Sequence, residues 1–549
     1  MEDFSIIAYA FGFLVFVYCA MLVATLQALM RVRLKRGTCS MGDPAVIPPP
    51  VASVFAPYGE KLLNWGFVHS HFILVDSPFV NRFSEKWGSV YLHHGEQSAA
   101  FLYPSDLPDR NAPCSVEFTT LFENRERLVT VNGSSHRMIG TMPLTVIRDP
   151  WADTLRAQWD AHQEELRKKP GMPREEAPEE SVVSYGEFLS EYIDHLLQIR
   201  WIIPAEDGSF RLSFMAALRT AFTMMAGEGK AAQMRKAMKL CKKEDLIDID
   251  VPVELEVEAY RRMNDFSEGK SMGRLTKLIL LVVSVAFFGL SFHYSLSLLS
   301  LLILIGVLFV HEMGHYVAMR LFHYRDVKVF FIPFLGAVTM GMQKEPKPME
   351  KIVVSFMGPV PGIIAGLLLC AVPSPPELMK ETVLMLLVIN YLNLLPLMPL
   401  DGGQIFNLMM ARFPYLQAIF QIVSAVILSV VFGILLKTPL LLIIGAVLAM
   451  NGFLRIPACT LLKKLRANVA QYGGDLKESG LVKEIFLLMK EKPYDSMLFQ
   501  RKYQTVKGIA DTYINELPGV LLICLTLLFY LFLFALPVVI LMMKIFLRH

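Results

Sequence analysis

The chain has 549 residues, 54% of them apolar and 19% charged, with a formal net charge of +3 and a mean hydropathy of +0.44. Soluble domains carry about 45–50% apolar and about 25% charged residues, so this balance excludes a wholly soluble protein and implies membrane spans alternating with polar regions. The small net charge argues against nucleic acid as a partner, and seven scattered cysteines without a Cys-x-x-Cys pair argue against a disulfide framework, as expected for soluble parts in a reducing compartment.

A membrane span needs about 20 apolar residues. Eight stretches meet or approach that length: about 4–30, 278–294, 296–319, 352–373, 382–400, 415–436, 439–454 and 518–543. The first follows an acidic start (Glu2, Asp3) and precedes Arg31, Arg33, Lys35 and Arg36, so it reads as an anchor rather than a cleaved signal. Residues 37–270 are polar. They open with a Pro-rich linker from Pro44 to Pro57, then alternate as β-strands over about 60–150, where Asn132-Gly133 signals a hairpin. Helical patterning follows to about 265, and the amphipathic stretch from Phe210 to Met225 reads as a core helix, with a place on the membrane surface as its other reading.

The run 278–319 is too long for one crossing and should turn at His293-Tyr294-Ser295. Basic flanks set the orientation. Arg31 to Arg36, Lys270 to Lys277, Arg320 to Lys328, Lys344 to Lys351 and Arg455 to Arg466 all fall on the cytoplasmic side under alternation, which leaves the N-terminus outside. The resulting division is 1–36 anchor, 37–270 cytoplasmic soluble region, 271–454 membrane core, 455–517 cytoplasmic helical segment and 518–549 C-terminal span.

The third span contains His311-Glu312-Met313-Gly314-His315. Residues four apart share a helix face, so two imidazoles at this spacing can bind one metal ion, with Glu312 placed to act as base on its water. Ionisable groups inside a span cost at least about 2.5 kcal/mol each and need a partner, which a zinc ion supplies. Bonds to neighbouring helices or a proton path would be the other use of such groups. A third ligand must come from elsewhere. His323, Asp326, Glu345, Glu350, Glu377 and Glu381 lie in loops or at span edges, whereas Asp401 ends the run Asn393-Leu394-Leu395-Pro396-Leu397-Met398-Pro399-Leu400. Pro396 and Pro399 should break that span at a depth tolerated only inside protein or a watery cavity. Asp401 is therefore a candidate ligand, with capping of a helix that starts at Gly402 as its other reading. His69, His71, His93 and His94 lack cysteine or acidic neighbours at ligand spacing and are not read as a second site.

The His-Glu-x-x-His in a span, followed by Asn-x-x-Pro-x-x-Pro-Leu-Asp-Gly-Gly in a later one, resembles the site-2 protease family of intramembrane zinc metalloproteases. Gly358-Pro359 is similar to that family's Gly-Pro step. The resemblance covers about residues 278–454. It implies one zinc ion on His311, His315 and Asp401, Glu312 as general base, and Asn393 as an aid in holding substrate or an activated carbonyl. It also implies a short extended hairpin over Val329–Thr339 beside which a substrate strand could lie. The expected fold is an all-α multi-pass membrane protein of about eight transmembrane helices, with a site-2 protease core and a short β-hairpin, plus a cytoplasmic α+β domain. The expected activity is peptide hydrolysis in membrane-anchored proteins at the cytoplasmic side of the bilayer, the inner (plasma) membrane if the cell is bacterial. A non-catalytic zinc-binding regulator or transporter-like protein with a protease-derived core is the alternative.

Overall fold

A computed structural model describes residues 18–19, 21–78, 86–133, 142, 144–169, 171–242, 245–267, 274–292, 296–332, 336–343, 345–435, 439–472 and 478–546. The chain forms two compact units, one of Met1–Cys19, Ser271–Gly473 and Gly508–His549, the other of Ala20–Lys270 and Gly474–Lys507.

In the first unit, labels number its own elements. Helices α1 (Arg274–Phe292) and α2 (Leu298–Leu321) come first. The turn expected at 293–295 lies outside the described residues; on its far side Ser297 caps α2, its hydroxyl accepting from the Ser300 amide at 3.1 Å. Strands β1 (Arg325–Ile332) and β2 (Gly336–Met342) pair antiparallel, with Val329 opposite Thr339. They rest on α1, where the Phe331 amide donates to Ser284 Oγ (2.9 Å) and the two rings of Phe288 and Phe331 meet edge-on at 5.4 Å.

The next apolar run is cut by Gly358-Pro359 into α3 (Pro348–Met357) and α4 (Pro359–Cys370), because Pro359 has no amide hydrogen to offer the helix ladder. Helix α5 (Glu377–Asn393) stops where Pro396 and Pro399 forbid continuation, and α6 (Asp401–Met409) restarts beyond them. Then come α7 (Pro414–Leu435), α8 (Pro439–Tyr472) and α9 (Val520–Phe546). The break between α5 and α6 is covered at its start, while Pro396 and Pro399 beyond it are exposed. Leu394 is fully covered, its carbonyl accepts from the Tyr530 hydroxyl of α9, and Tyr391 donates to the Leu533 carbonyl at 3.0 Å.

Five helices among the described residues are long and apolar enough to cross a membrane: Leu298–Leu321, Pro348–Cys370, Pro414–Val431, Gly445–Ala470 and Val520–Pro537. Met21–Arg31 and Lys277–Leu290 are shorter apolar helices. The greater part of the first expected span, residues 1–17, lies outside the described residues. The protein is an integral membrane protein.

The second unit is built on one long sheet. Its strands Thr38–Gly42, Val68–Asp76, Lys86–His93, Ser98–Asp109, Ala112–Phe122, Arg127–Thr130 and Thr145–Arg148 are neighbours in chain order. Alternation along Ser98–Asp109 serves two cores: Ala100 and Leu102 pack with helix Pro49–Asn64 and Trp159, while Phe101 packs with helix Pro178–Gln198. The segment after Phe210 is a short strand, Phe210–Leu212, and then helix Phe214–Met238, which buries Ala216, Ala217 and Ala221. Within this unit Lys502 (2.7 Å) and Lys490 (3.3 Å) both pair with the buried Glu256.

The hairpin expected at Asn132-Gly133 does not form. Arg127–Thr130 pairs in parallel with Thr145–Arg148, so the chain crosses over instead of doubling back. The turn-forming side chain is used otherwise: Asn132 exchanges two hydrogen bonds with the backbone of Ala152 (2.8 and 2.9 Å), and the Gly133 amide donates to Asp149 (3.0 Å).

Candidate metal centre

Four ionisable groups lie buried in the membrane unit at the meeting of α2, α3, α5 and α6. His311, Glu312 and His315 share the buried face of α2, and Asp401 opens α6. His311 Nε2 and His315 Nε2 are 3.2 Å apart, and Asp401 Oδ2 lies 3.0 Å from the first and 3.3 Å from the second. Tetrahedral bonds of roughly 2.0–2.1 Å require donor atoms about 3.3–3.4 Å apart, so all three edges have nearly the length that one zinc ion demands.

Each imidazole is oriented by its other nitrogen. His315 Nδ1 lies 2.8 Å from the Val354 carbonyl, an acceptor only, so Nδ1 carries the proton and Nε2 presents a lone pair. His311 Nδ1 donates to Asn390 Oδ1 (2.8 Å), and the Asn390 amide is fixed in that sense because its Nδ2 donates to the Leu386 carbonyl (2.7 Å). With both rings neutral, three electron-pair donors converge on one point. That donor set fits a cation, and among the described residues it is the group of His, Cys, Asp or Glu able to hold one.

Asp401 does not act as a cap. Leu400 occupies the N-cap position without a side-chain capping bond, and Asp401 Oδ2 has no hydrogen-bond donor of its own. The carboxylate is aimed by two glycines behind it. A Cβ at Gly402 would strike the Leu394 carbonyl, and one at Gly403 would strike the backbone of Leu397, so α6 can start only by resting directly on the Pro-rich loop.

Glycines also make room at the rings. A Cβ on Gly314 would collide with the Met357 carbonyl, which is why α2 can approach α3 closely enough for His315 to reach Val354. A Cβ on Gly358 would collide with His315 Nε2 and come within 2.9 Å of His311 Nε2, in the space a shared ion needs. One turn on, Gly362 lies against the Asn390 amide. This stripe lets helix backbones meet where larger side chains would hold them apart.

Glu312 is buried next to His311 and is held by the hairpin, its carboxylate accepting from the Thr339 hydroxyl of β2 at 2.6 Å. Asn393 is half-buried and donates to the Ile389 carbonyl (3.0 Å); no hydrogen bond joins it to the histidines or to Glu312. Asn390 and Thr339 carry no signal in the sequence. Each sits in an apolar or alternating stretch, far along the chain from the ring or carboxylate it holds. Asp326 is paired with Lys277 (2.9 Å) and Glu350 caps its own helix at the Lys347 amide (3.2 Å), which removes both from the ligand set.

The sequence model of peptidase family M50 matches residues 299–374, the stretch that holds both histidines, Glu312 and Gly358. Stage IV sporulation protein FB of Bacillus subtilis (strain 168) is 28% identical over 117 residues, which is 21% of this chain and 41% of that protein. The chain thus spans about two fifths of the length of that curated relative. A site-2 protease from Methanocaldococcus jannaschii aligns with 32% of this chain and 86% of its own at 24% identity, with a TM-score of 0.24.

Proposed function

Since the membrane core of this chain belongs to the site-2 protease family, we propose that the protein is an intramembrane zinc metalloprotease that hydrolyses peptide bonds of membrane-anchored proteins. The observation that carries this reading is the convergence of His311 Nε2, His315 Nε2 and Asp401 Oδ2 at 3.0 to 3.3 Å. In it the three residues hold one zinc ion, which when bound supplies Lewis acidity towards a scissile carbonyl and a water.

The chain's own groups do the rest. Asn390 and the Val354 carbonyl keep the ring protons on the outer nitrogens, so both inner nitrogens stay available as donors. Glu312 takes the proton from the attacking water and returns it to the leaving amine, and the Thr339 hydroxyl holds it in place for both transfers. Asn393 offers its half-buried amide to the substrate carbonyl. A helical substrate hides its peptide bonds, so it must unwind, and the hairpin β1–β2 offers an edge along which the unwound strand can lie. In this reading the chain has about eight spans, and the basic flanks favour the cytoplasmic side for the chemistry.

The test is cleavage of a fluorogenic membrane-anchored substrate by the purified full-length protein, with zinc measured in parallel. Glu312→Gln should retain its zinc and lose cleavage by about 10²–10⁴-fold. Full proteolysis by that variant would remove Glu312 from its role, and zinc without turnover in the wild type would leave a regulator in place of an enzyme.

A further inference from the structure

Between Gly402 and Gly474 the chain contains no Asp or Glu, yet it carries Arg412, Lys437, Arg455, Lys463, Lys464 and Arg466. Three of these cations converge. Arg412, just before α7, and Lys463 and Arg466, on the later turns of α8, line one groove of about 540 Å³. That volume lies within the roughly 300–1,000 Å³ of small-molecule sites. The rest of its wall is apolar or aromatic, with Phe413, Tyr415, Leu416 and Leu462 foremost. The Tyr415 hydroxyl meets Thr460 Oγ1 at 3.0 Å, which fixes α7 against α8 at this level.

Among the described residues no carboxylate pairs with Arg412, Lys463 or Arg466, so there the cations face one another without a counter-ion. The groove is continuous with a lipid-type surface: Leu416, Ile419 and Val423, at helical spacing along α7, are all about half exposed (46%, 54% and 48%). A soluble anion would use only the charged end of such a site, and an acidic peptide would leave the apolar stripe uncovered. A ligand with a phosphate at one end and hydrocarbon at the other satisfies both.

We propose that this groove is a binding site for an anionic phospholipid, its phosphate held by Arg412, Lys463 and Arg466 and its acyl chain laid along Leu416, Ile419 and Val423. Basic pockets between membrane helices recognise such headgroups through charge while the chains dock on the neighbouring apolar face. Tyr415, 40% exposed, lines the groove beside these cations, and tyrosine is a residue type enriched at the headgroup level. The site uses none of the residues of the metal centre and does not depend on catalysis.

The test is native mass spectrometry of the delipidated full-length protein, titrated with phosphatidylglycerol or with phosphatidylcholine of the same acyl chains. The wild type should hold phosphatidylglycerol in preference, and Arg412→Gln should weaken it about fivefold, the effect of one interfacial charge. R412Q/K463Q/R466Q should erase the preference and leave phosphatidylcholine retention unchanged. The single exposed substitution serves as the test should the triple variant fail to fold. Equal retention of the two lipids by the wild type, or an undiminished preference in Arg412→Gln, would overturn the proposal. So would displacement of the lipid by glycerol 3-phosphate at equal concentration, which would mark a site for soluble phosphates. Binding of an acidic juxtamembrane peptide with no lipid retained would overturn it too, in favour of a protein partner.

Discussion

Buried histidines occur in both units, and they are held in opposite ways. His162, in the sheet-based unit, has Nε2 against Thr120 (2.9 Å) and Nδ1 against Thr130 (2.8 Å), and its ring stacks on Trp159. Hydroxyls both donate and accept, so the neutral ring is satisfied at both ends and has nothing left to offer. His311 and His315 each spend one nitrogen on the protein and aim the other at a second ring and a carboxylate. Burial alone therefore does not mark a functional imidazole. What marks it is a nitrogen left facing other electron-pair donors.

That contrast can be broken at several points. The largest effect is expected at Gly358, where an added methyl would occupy the space between the two rings. Gly358→Ala should lower zinc affinity by more than about 100-fold while circular dichroism shows unchanged helix content, since an ion and a methyl cannot share the position. Unaltered zinc binding would show that the rings can hold an ion elsewhere.

A smaller loss is expected at the orienting amide. Asn390→Ala leaves His311 free to change tautomer and rotate, which should cost about 10–100-fold in zinc affinity. Asn390→Asp restores an acceptor for Nδ1 and should bring the affinity back to within a few-fold, a recovery that a purely space-filling role for Asn390 would not give.

The smallest effect belongs to His162 and appears in stability alone. Burial pushes its pKa down to about 3 from 6.5. The folded ring stays neutral in that window while the unfolded ring binds a proton, so stability is present above pH 6.5 and lost as pH falls, by at most about 1.4 kcal/mol per pH unit. The protection factors of the strand Ala112–Phe122, taken relative to the intrinsic amide exchange rate at each pH, should therefore fall on acidification, and His162→Phe should flatten that dependence without touching zinc content.

The cluster of His311, His315 and Asp401 was more legible in the sequence than its surroundings were. The four-residue spacing of His311 and His315 is a helix period, and Asp401 is bracketed by prolines and glycines that leave few conformations open. Asn390 and Thr339 were not legible, because each acts across a tertiary contact that no local period encodes. Asn132-Gly133 misled for a related reason. Its turn chemistry is real, but tertiary bonds to Asp149 and Ala152 claim it and the strands run parallel. The contacts that join 474–507 to 20–270 in one unit likewise depend on pairs such as Lys502 with Glu256, which only the fold brings together.

The central claim is that one aspartate and two histidines from separate helices hold a single ion, and zinc content tests it most directly. Purified full-length wild type, equilibrated with zinc and desalted, should carry one equivalent by elemental mass spectrometry. Asp401→Ala, with its helices intact, should retain less than about a tenth of that. A wild type without zinc, or an Asp401→Ala variant that keeps its full equivalent, would contradict the account.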